Sequence, residues 1–267
     1  MRKKARVEKN STKFAILFVL FVFVIILISA VLKAASVIRQ SKFDGSNRFT
    51  ISVSNNKNLE IISFSPDIHS ISILKLDGEV KNLKLERFLK IPIDGFVKGS
   101  FLKIDQDVAS LMSNIFFNYN NVKTNLTIID ILRLVLVSKT TPLNNIAIYN
   151  ISSSLGGQKV DKIVEKIFKD EEIEKENQTV EIINTTEVLG LGGRLARFIT
   201  NMGGNVIQVS TEKNLEKNSY VLYTGRKTYT VKRLSEALGF KLVQMDKKFI
   251  ADIRIVLGED AKDPSSF

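Results

Sequence analysis

The sequence predicts an α/β protein: one N-terminal transmembrane helix followed by two α/β domains, the second a small two-layer βαββαβ sandwich. Three observations carry this. Phe14 to Leu32 (FAILFVLFVFVIILISAVL) is a run of 19 residues without a charge. Beyond it, segments that alternate at period two are interleaved with segments of helical period. From Val180 onward a strand–helix–strand unit occurs twice.

The apolar run comes first. At about 1.5 Å per residue it makes a helix of roughly 30 Å, the thickness of a bilayer's hydrocarbon core. Arg2, Lys3, Lys4, Arg6, Lys9 and Lys13 precede it, opposed by Glu8 alone. Under the positive-inside rule this 1–13 tail stays in the cytoplasm and residues 33–267 lie outside. A cleaved signal peptide is the competing reading, since Ile28-Ser29-Ala30 resembles a cleavage site. Its apolar core is usually about 7–15 residues, shorter than this one. Both readings export the rest of the chain.

Composition narrows the chemistry. About 235 residues follow the span, enough for one or two domains with their own cores. The chain has no cysteine and one histidine, His69. Disulfides, thiolate metal sites and histidine clusters are thereby excluded, and no cofactor or metal is expected. The net charge is +11, of which the tail carries +5 and the stretch 158–179 carries −2. Nucleic acid is not an expected partner of an exported chain. Lipid headgroups and anionic wall polymers are the polyanions available there.

Lys33 to Asn47 reads as a polar stem with a turn at Asp44-Gly45-Ser46-Asn47. The first domain runs from 48 to 157. Its strands are Phe49–Val53, Leu59–Phe64 and Ile71–Leu76, with Ser65-Pro66-Asp67 as a turn. Apolar residues at helical spacing predict a helix from about 101 to 117. A second helix, 127–137, starts at Thr127 and Asp130, which stand at capping-box spacing, and its nearly all-round apolarity predicts full burial. Ile146–Ile151 closes the domain as a strand. Asp77, Glu79, Asp94, Asp105 and Asp107 read as solvated acids, not as a cation site. His69, between two strands, reads as a surface residue.

These pieces resemble the LytR-CpsA-Psr domain. LEIISFSPDIHSISILKL resembles its opening hairpin, KIPIDGFVKGSF its IPID-aromatic-V stretch, and VKTNLTIIDILRLVLV with NIAIYNI its closing helix and strand. The resemblance implies a membrane-anchored, extracytoplasmic protein. Members of that family transfer glycopolymers from a polyprenyl pyrophosphate carrier to the cell wall, with arginines and acids around a Mg²⁺-bound pyrophosphate. This chain departs from the pattern. Leu76-Asp77-Gly78-Glu79 replaces the Pro-Arg-Asp signature, and the later arginine-rich strip is missing. Arg48, Arg87 and Arg133 match no motif position. Phosphoryl transfer depends on concentrated positive charge, so the domain reads as a shortened, non-catalytic relative.

Residues 158–179 read as a charged helical linker. Val160, Ile163, Val164 and Ile167 form an apolar stripe expected to pack on the first domain, and acidic Asp170–Glu176 is expected to be solvated. The second domain spans 180–260, before a 261–267 tail. Its expected elements are a strand at 180–184, a helix at 194–202, strands at 205–209 and 220–223, a helix at 230–238, a possible strand at 240–243 and a last strand at 251–258. Asn184-Thr185-Thr186, Gly190-Leu191-Gly192-Gly193, Gly203-Gly204 and ADIRIVLG at 251–258 resemble the marks of the LytR C-terminal domain. That family implies the fold and a cell-envelope setting, and offers no catalytic centre to carry over.

One candidate site emerges. Gly190, Gly192 and Gly193 precede a helix that carries Arg194 and Arg197, where free N–H groups attract anions. Leu195 occupies the third glycine position of a dinucleotide fingerprint, so no nucleotide is expected. The alternative is that the glycines serve tight packing. The expected role is non-catalytic binding or scaffolding in cell-wall glycopolymer attachment or envelope maintenance. Expected contacts are the bilayer through Phe14 to Leu32 and anionic wall glycopolymer, peptidoglycan or active LytR-CpsA-Psr relatives. A residual polyprenyl-pyrophosphate phosphotransferase and a membrane-tethered regulator are the other classes, although the short tail holds no helix-turn-helix.

Overall fold

The computed structural model describes residues 4–76, 89–104, 107–151, 157–246 and 250–262, with side chains from residue 13 on and, in the helix that begins at Gly157, from residue 162 on. Helix α1, Lys4–Gln40, is long and apolar enough over Lys13–Gln40 to cross a membrane by length and composition. Every side chain from Phe14 to Leu32 is exposed. The helix continues eight residues past Leu32. The first half of the expected stem is therefore helical, because nothing from Lys33 to Gln40 breaks a helix, and Arg39 sits favourably in its last turn.

The first domain is built on a six-stranded sheet. Strands β1 (Phe49–Ser54), β2 (Leu59–Ser65) and β3 (Ser70–Leu76) form an antiparallel meander. Strand β4 (Gly95–Lys98) lies parallel to β1, β5 (Lys123–Thr124) is antiparallel to β4, and β6 (Ile146–Ile151) is parallel to β3. The order is β5-β4-β1-β2-β3-β6. The turn after β2 is a short 3-10 segment, Pro66–Ile68, closed by His69 in the left-handed region at φ 50. His69 is exposed, as expected.

Helix α2, Val108–Phe117, starts later than the pattern predicts. Asp107 is its cap, its side chain accepting the Ser110 N–H at 2.9 Å, while Leu102 and Ile104 reach the core from the turn before it. Helix α3, Ile128–Thr140, begins at the expected capping box, with Thr127 and Asp130 bonding each other's backbone N–H. It is buried on one face only. Ile128, Leu132 and Leu136 are 42%, 42% and 55% exposed, because the helix meets the sheet with its Ile131, Leu134 and Val135 side alone.

The two faces of this sheet bury different cores. Phe49, Ile51 and Val53 of β1 and Ile62 and Phe64 of β2 pack under α2 and α3. Leu59 and Ile61 of β2 with Leu74 and Leu76 of β3 face the other way, as period two requires. There they meet α4, Gly157–Phe168, through Val164, Ile167 and Phe168. The apolar stripe of 158–168 thus packs on the first domain as expected. The remainder of the supposed linker differs. Asp170 caps a further helix, α5 (Glu171–Glu176), and Ile173 is buried in the second domain's core. Asp170 is only 4% exposed, so this acid is structural, whereas Glu174 is exposed as expected of the stretch.

The second domain follows the predicted order: β7 (Thr179–Asn184), α6 (Leu191–Asn201), β8 (Asn205–Thr211), β9 (Tyr220–Tyr223), α7 (Tyr229–Leu238), β10 (Lys241–Gln244) and β11 (Ile253–Leu257). The possible strand is real, and raises βαββαβ to five strands in the order β10-β9-β11-β7-β8. Each repeat is a parallel pair joined by a helix, β7/β8 and β9/β10. Strand β11 joins the two, parallel to β7 and antiparallel to β9. Both helices share one core on one face of the sheet.

Candidate functional site

The quoted motifs of the second domain are turn chemistry. Asn184 Oδ1 accepts the Thr186 N–H and hydroxyl at 3.0 and 2.8 Å, and Thr185 Oγ1 donates to the Leu257 carbonyl at 2.7 Å. Asp252 accepts the N–H and hydroxyl of Thr179 at 2.9 and 2.7 Å, and these bonds hold its carboxyl below the usual range. A Cβ on Gly258 would stand 2.6 Å from the Asn218 backbone. These residues close β7 and β11 around the sheet.

The glycine loop divides in the same way. Gly190 takes φ 75 at the cap of α6, a conformation that favours glycine. Gly192 is buried, and a Cβ there would stand 2.8 Å from Val209 Cγ1. Two of the three glycines therefore have packing or backbone duties. Gly193 has open space, Arg194 is half-buried and Arg197 is exposed. The helix starts at Leu191, earlier than the expected 194, so Gly192 and Gly193 stand in its first turn and only Gly190 precedes it.

A built arrangement lies elsewhere, at the joint between the two domains. Asp94, just before β4, is fixed by β1: its N–H donates to the Thr50 carbonyl and its carboxylate accepts the Thr50 N–H, both at 2.8 Å. The same carboxylate receives Arg233 of α7 in a two-pronged pair, Nη1 to Oδ1 at 2.6 Å and Nη2 to Oδ2 at 3.1 Å. Arg233 is 8% exposed. Burial pushes its pKa down, but Asp94 outweighs that and holds it above the ordinary value. A buried guanidinium demands such a partner, and the forked geometry supplies it.

Asp170 completes the joint. Its carboxylate accepts the Tyr229 hydroxyl at 2.7 Å and lies 3.9 Å from Arg233 Nε. Burial raises the Asp170 pKa despite Tyr229, Arg233 and Arg48, and burial with the nearby Asp170 charge raises that of Tyr229. Glu176 caps α7 by accepting the Tyr229 and Thr230 N–H groups at 3.0 and 2.8 Å. Asn201 of α6 donates to the Lys90 carbonyl at 3.2 Å, tying the domains a second time.

Next to this network opens a cleft of about 830 Å³, lined by Ile38 of α1, the 41–44 segment, Arg48, Asp94, Arg133 and the α7 residues Tyr229, Lys232 and Arg233. Asp130 holds the 41–43 segment that lines it: Oδ1 accepts the Ser41 hydroxyl at 2.6 Å and the Lys42 and Phe43 N–H groups at 2.9 and 2.8 Å. Burial opposes its ionisation, yet these bonds and Thr127 hold its pKa below the usual value. Arg133 donates to Ser41 Oγ at 3.0 Å and to the Phe43 carbonyl. Arg48 donates to Ser63 Oγ at 3.0 Å and to the Ile167 carbonyl at the end of α4 at 3.1 Å. Its Nε is buried with no hydrogen-bond partner, and burial lowers its pKa.

The sequence reading missed this cleft. Arg48 and Arg133 match no motif, and nothing near Asp94 or Asp170 in the sequence distinguishes them from solvated acids. Arg233 and Asp94 are 139 positions apart, so no local spacing announces the pair. Of the other acids, Asp107 is a helix cap, while Asp77, Glu79 and Asp105 lie outside the described residues. Among the described residues no cluster of three acids or histidines is arranged to hold a metal.

Residues 177–260 match the family model LytR_C, described as the LytR cell envelope-related transcriptional attenuator. No curated protein matches the sequence as a relative. Among solved structures, the transcriptional regulator yvhJ from Bacillus subtilis aligns at 16% identity and TM-score 0.35, covering 45% of this chain and 97% of that one. TagV of B. subtilis aligns at 13% and 0.33, over 46% and 98%. A Streptococcus agalactiae protein aligns at 10% and 0.32, over 50% and 88%. At such scores these likenesses decide nothing about fold or activity. The family match agrees with the turn chemistry of Asn184, Thr185 and Asp252: residues 177–260 are a LytR C-terminal domain, carried by a chain whose N-terminal helix is suited to a membrane anchor.

Proposed function

We propose that this chain is a single-pass cell-envelope protein whose two outer domains bind and position rather than catalyse, in the attachment of glycopolymer to the cell wall. The basic residues before Phe14, from Arg2 to Lys13, support a cytoplasmic N-terminus with both domains outside. The observation that carries the reading is the use made of the charged groups. The arginines and acids that a pyrophosphate transferase would aim at its substrate are here spent on joining elements: Asp94 to Arg233, Asp130 to the 41–43 backbone, Arg48 to the end of α4. The resemblance of residues 48–157 to a shortened LytR-CpsA-Psr domain supports the wall setting.

The test uses the full chain in detergent. It is expected to sediment with purified walls that carry anionic glycopolymer and not with walls stripped of it. It is also expected to release no phosphate or pyrophosphate from a polyprenyl-pyrophosphate glycan in the presence of Mg²⁺. Turnover of that substrate would overturn the reading in favour of a residual transferase.

A further inference from the structure

We propose that the cleft at the domain joint receives the phosphate of an anionic phospholipid from the leaflet through which α1 emerges. The inference rests on the preceding reading only in requiring that α1 cross the membrane. Its first ground is position. Ile38 lines the cleft, and it lies six residues beyond Leu32 on one continuous helix. At about 1.5 Å per residue that is roughly 9 Å above the hydrocarbon edge. The headgroup layer occupies about 5–7 Å on each side of a bilayer, so Ile38 stands about 2–4 Å beyond it, within reach of a headgroup.

Charge is the second ground. Lys42, Arg48, Arg133, Lys232 and Arg233 line the cleft against Asp44, Asp94 and Glu236. Asp94 is consumed by Arg233, and Lys232 reaches Glu236 only at 3.8 Å, across an exposed surface. Arg48 and Arg133 donate to hydroxyls and carbonyls, not to carboxylates. Arg48 feels Asp170, Asp67 and Glu171 only through space, neither arginine has a carboxylate among its hydrogen-bond partners, and Arg48 Nε has no acceptor. A phosphate diester supplies the missing negative charge and acceptor oxygens. The third ground is size, since about 830 Å³ falls within the range of small-ligand sites and suits a glycerophosphate head.

The shared chemistry is a phosphate anion, and the experiment separates its two sources. The full chain is placed in nanodiscs of phosphatidylcholine with or without phosphatidylglycerol, and bound lipid is read by native mass spectrometry after release from the disc. Phosphatidylglycerol is expected to remain bound in preference to phosphatidylcholine. Exposed Lys42 and Lys232 can be changed without touching the core. K42Q/K232Q is expected to weaken that preference about tenfold or more. K213Q/K217Q, which removes equal charge from exposed positions outside the cleft, should change it little. Thermal unfolding of both variants verifies that they fold. No preference in the parent chain, or equal losses in the two variants, overturns the site. Glycerol 1-phosphate binding the detergent-solubilised chain as tightly as the lipid overturns the lipid as its occupant. Wall sedimentation without lipid preference would leave the proposed function standing and this inference fallen.

Discussion

Two carboxylates hold more of this structure together than their positions in the sequence announce. Asp94 and Arg233 form a buried pair, and removing one partner strands the other. Asp94→Asn or Arg233→Met should each cost about 3–5 kcal/mol, read as a lower denaturant midpoint of the solubilised chain. A double variant that loses less than the sum of the singles would show the two groups acting on each other. Asp130 makes a pH-dependent counterpart. Its folded pKa lies below its unfolded one, so the stability it contributes is present above the unfolded value and lost as pH falls through the folded value. The Lys42 and Phe43 amides should keep their hydrogen-exchange protection at neutral pH and lose it only below the ordinary carboxylate range. Asp130→Ala should abolish that protection throughout. Half of the Asp130 role was legible in the sequence, because Thr127 three residues earlier marks a capping box. The clasp on residues 41–43 was not, since 87 to 89 positions separate the partners.

Among the elements, strands and helices were the most legible, since period two and period 3.6 are written in the apolar residues. Boundaries were less so. Helix α2 starts at Asp107 because one side chain captures the Ser110 N–H, whereas the apolar pattern continues back to Phe101 through residues that reach the core from a turn. The exposure of α3 was hidden for another reason: an all-apolar helix carries no sign of which face the sheet will cover. The glycine loop lends itself to measurement at this scale. Gly192→Ala should destabilise by about 1–3 kcal/mol, because its methyl would press on Val209. Gly193→Ala meets open space inside a helix and should stabilise by about 0.5–1 kcal/mol. Thermal unfolding distinguishes the two. If both changes prove neutral, Gly192 is not pinned by packing.

Across the whole molecule, the domain plan was readable and the joint was not. Composition marked 158–179 as charged, and charge in isolation reads as solvation. Here the same residues cap helices and pair across domains, because Asp170 and Glu176 face α7. The two domains should consequently unfold in one cooperative transition. Calorimetry that resolves two well-separated transitions would show that Arg233 and Asn201 do not couple them. Orientation is tested separately. A reporter active only outside the cytoplasm, fused after Phe267, should be active, and replacing Arg2, Lys3, Lys4 and Arg6 by Glu should weaken that activity. An inactive parent fusion would remove the envelope placement.

The unbroken passage from α1 into the Asp130 clasp limits how far the protein can work. Helix α1 ends at Gln40, and the next three residues are already held by Asp130. Residues 33–40 add about 12 Å of helix above the hydrocarbon edge. A folded body of the remaining residues measures about 45 Å across. Under the proposed orientation, a body of that size reaches roughly 60 Å from the bilayer core. Under that same orientation, a partner would be met close to the membrane surface and not deep in the wall.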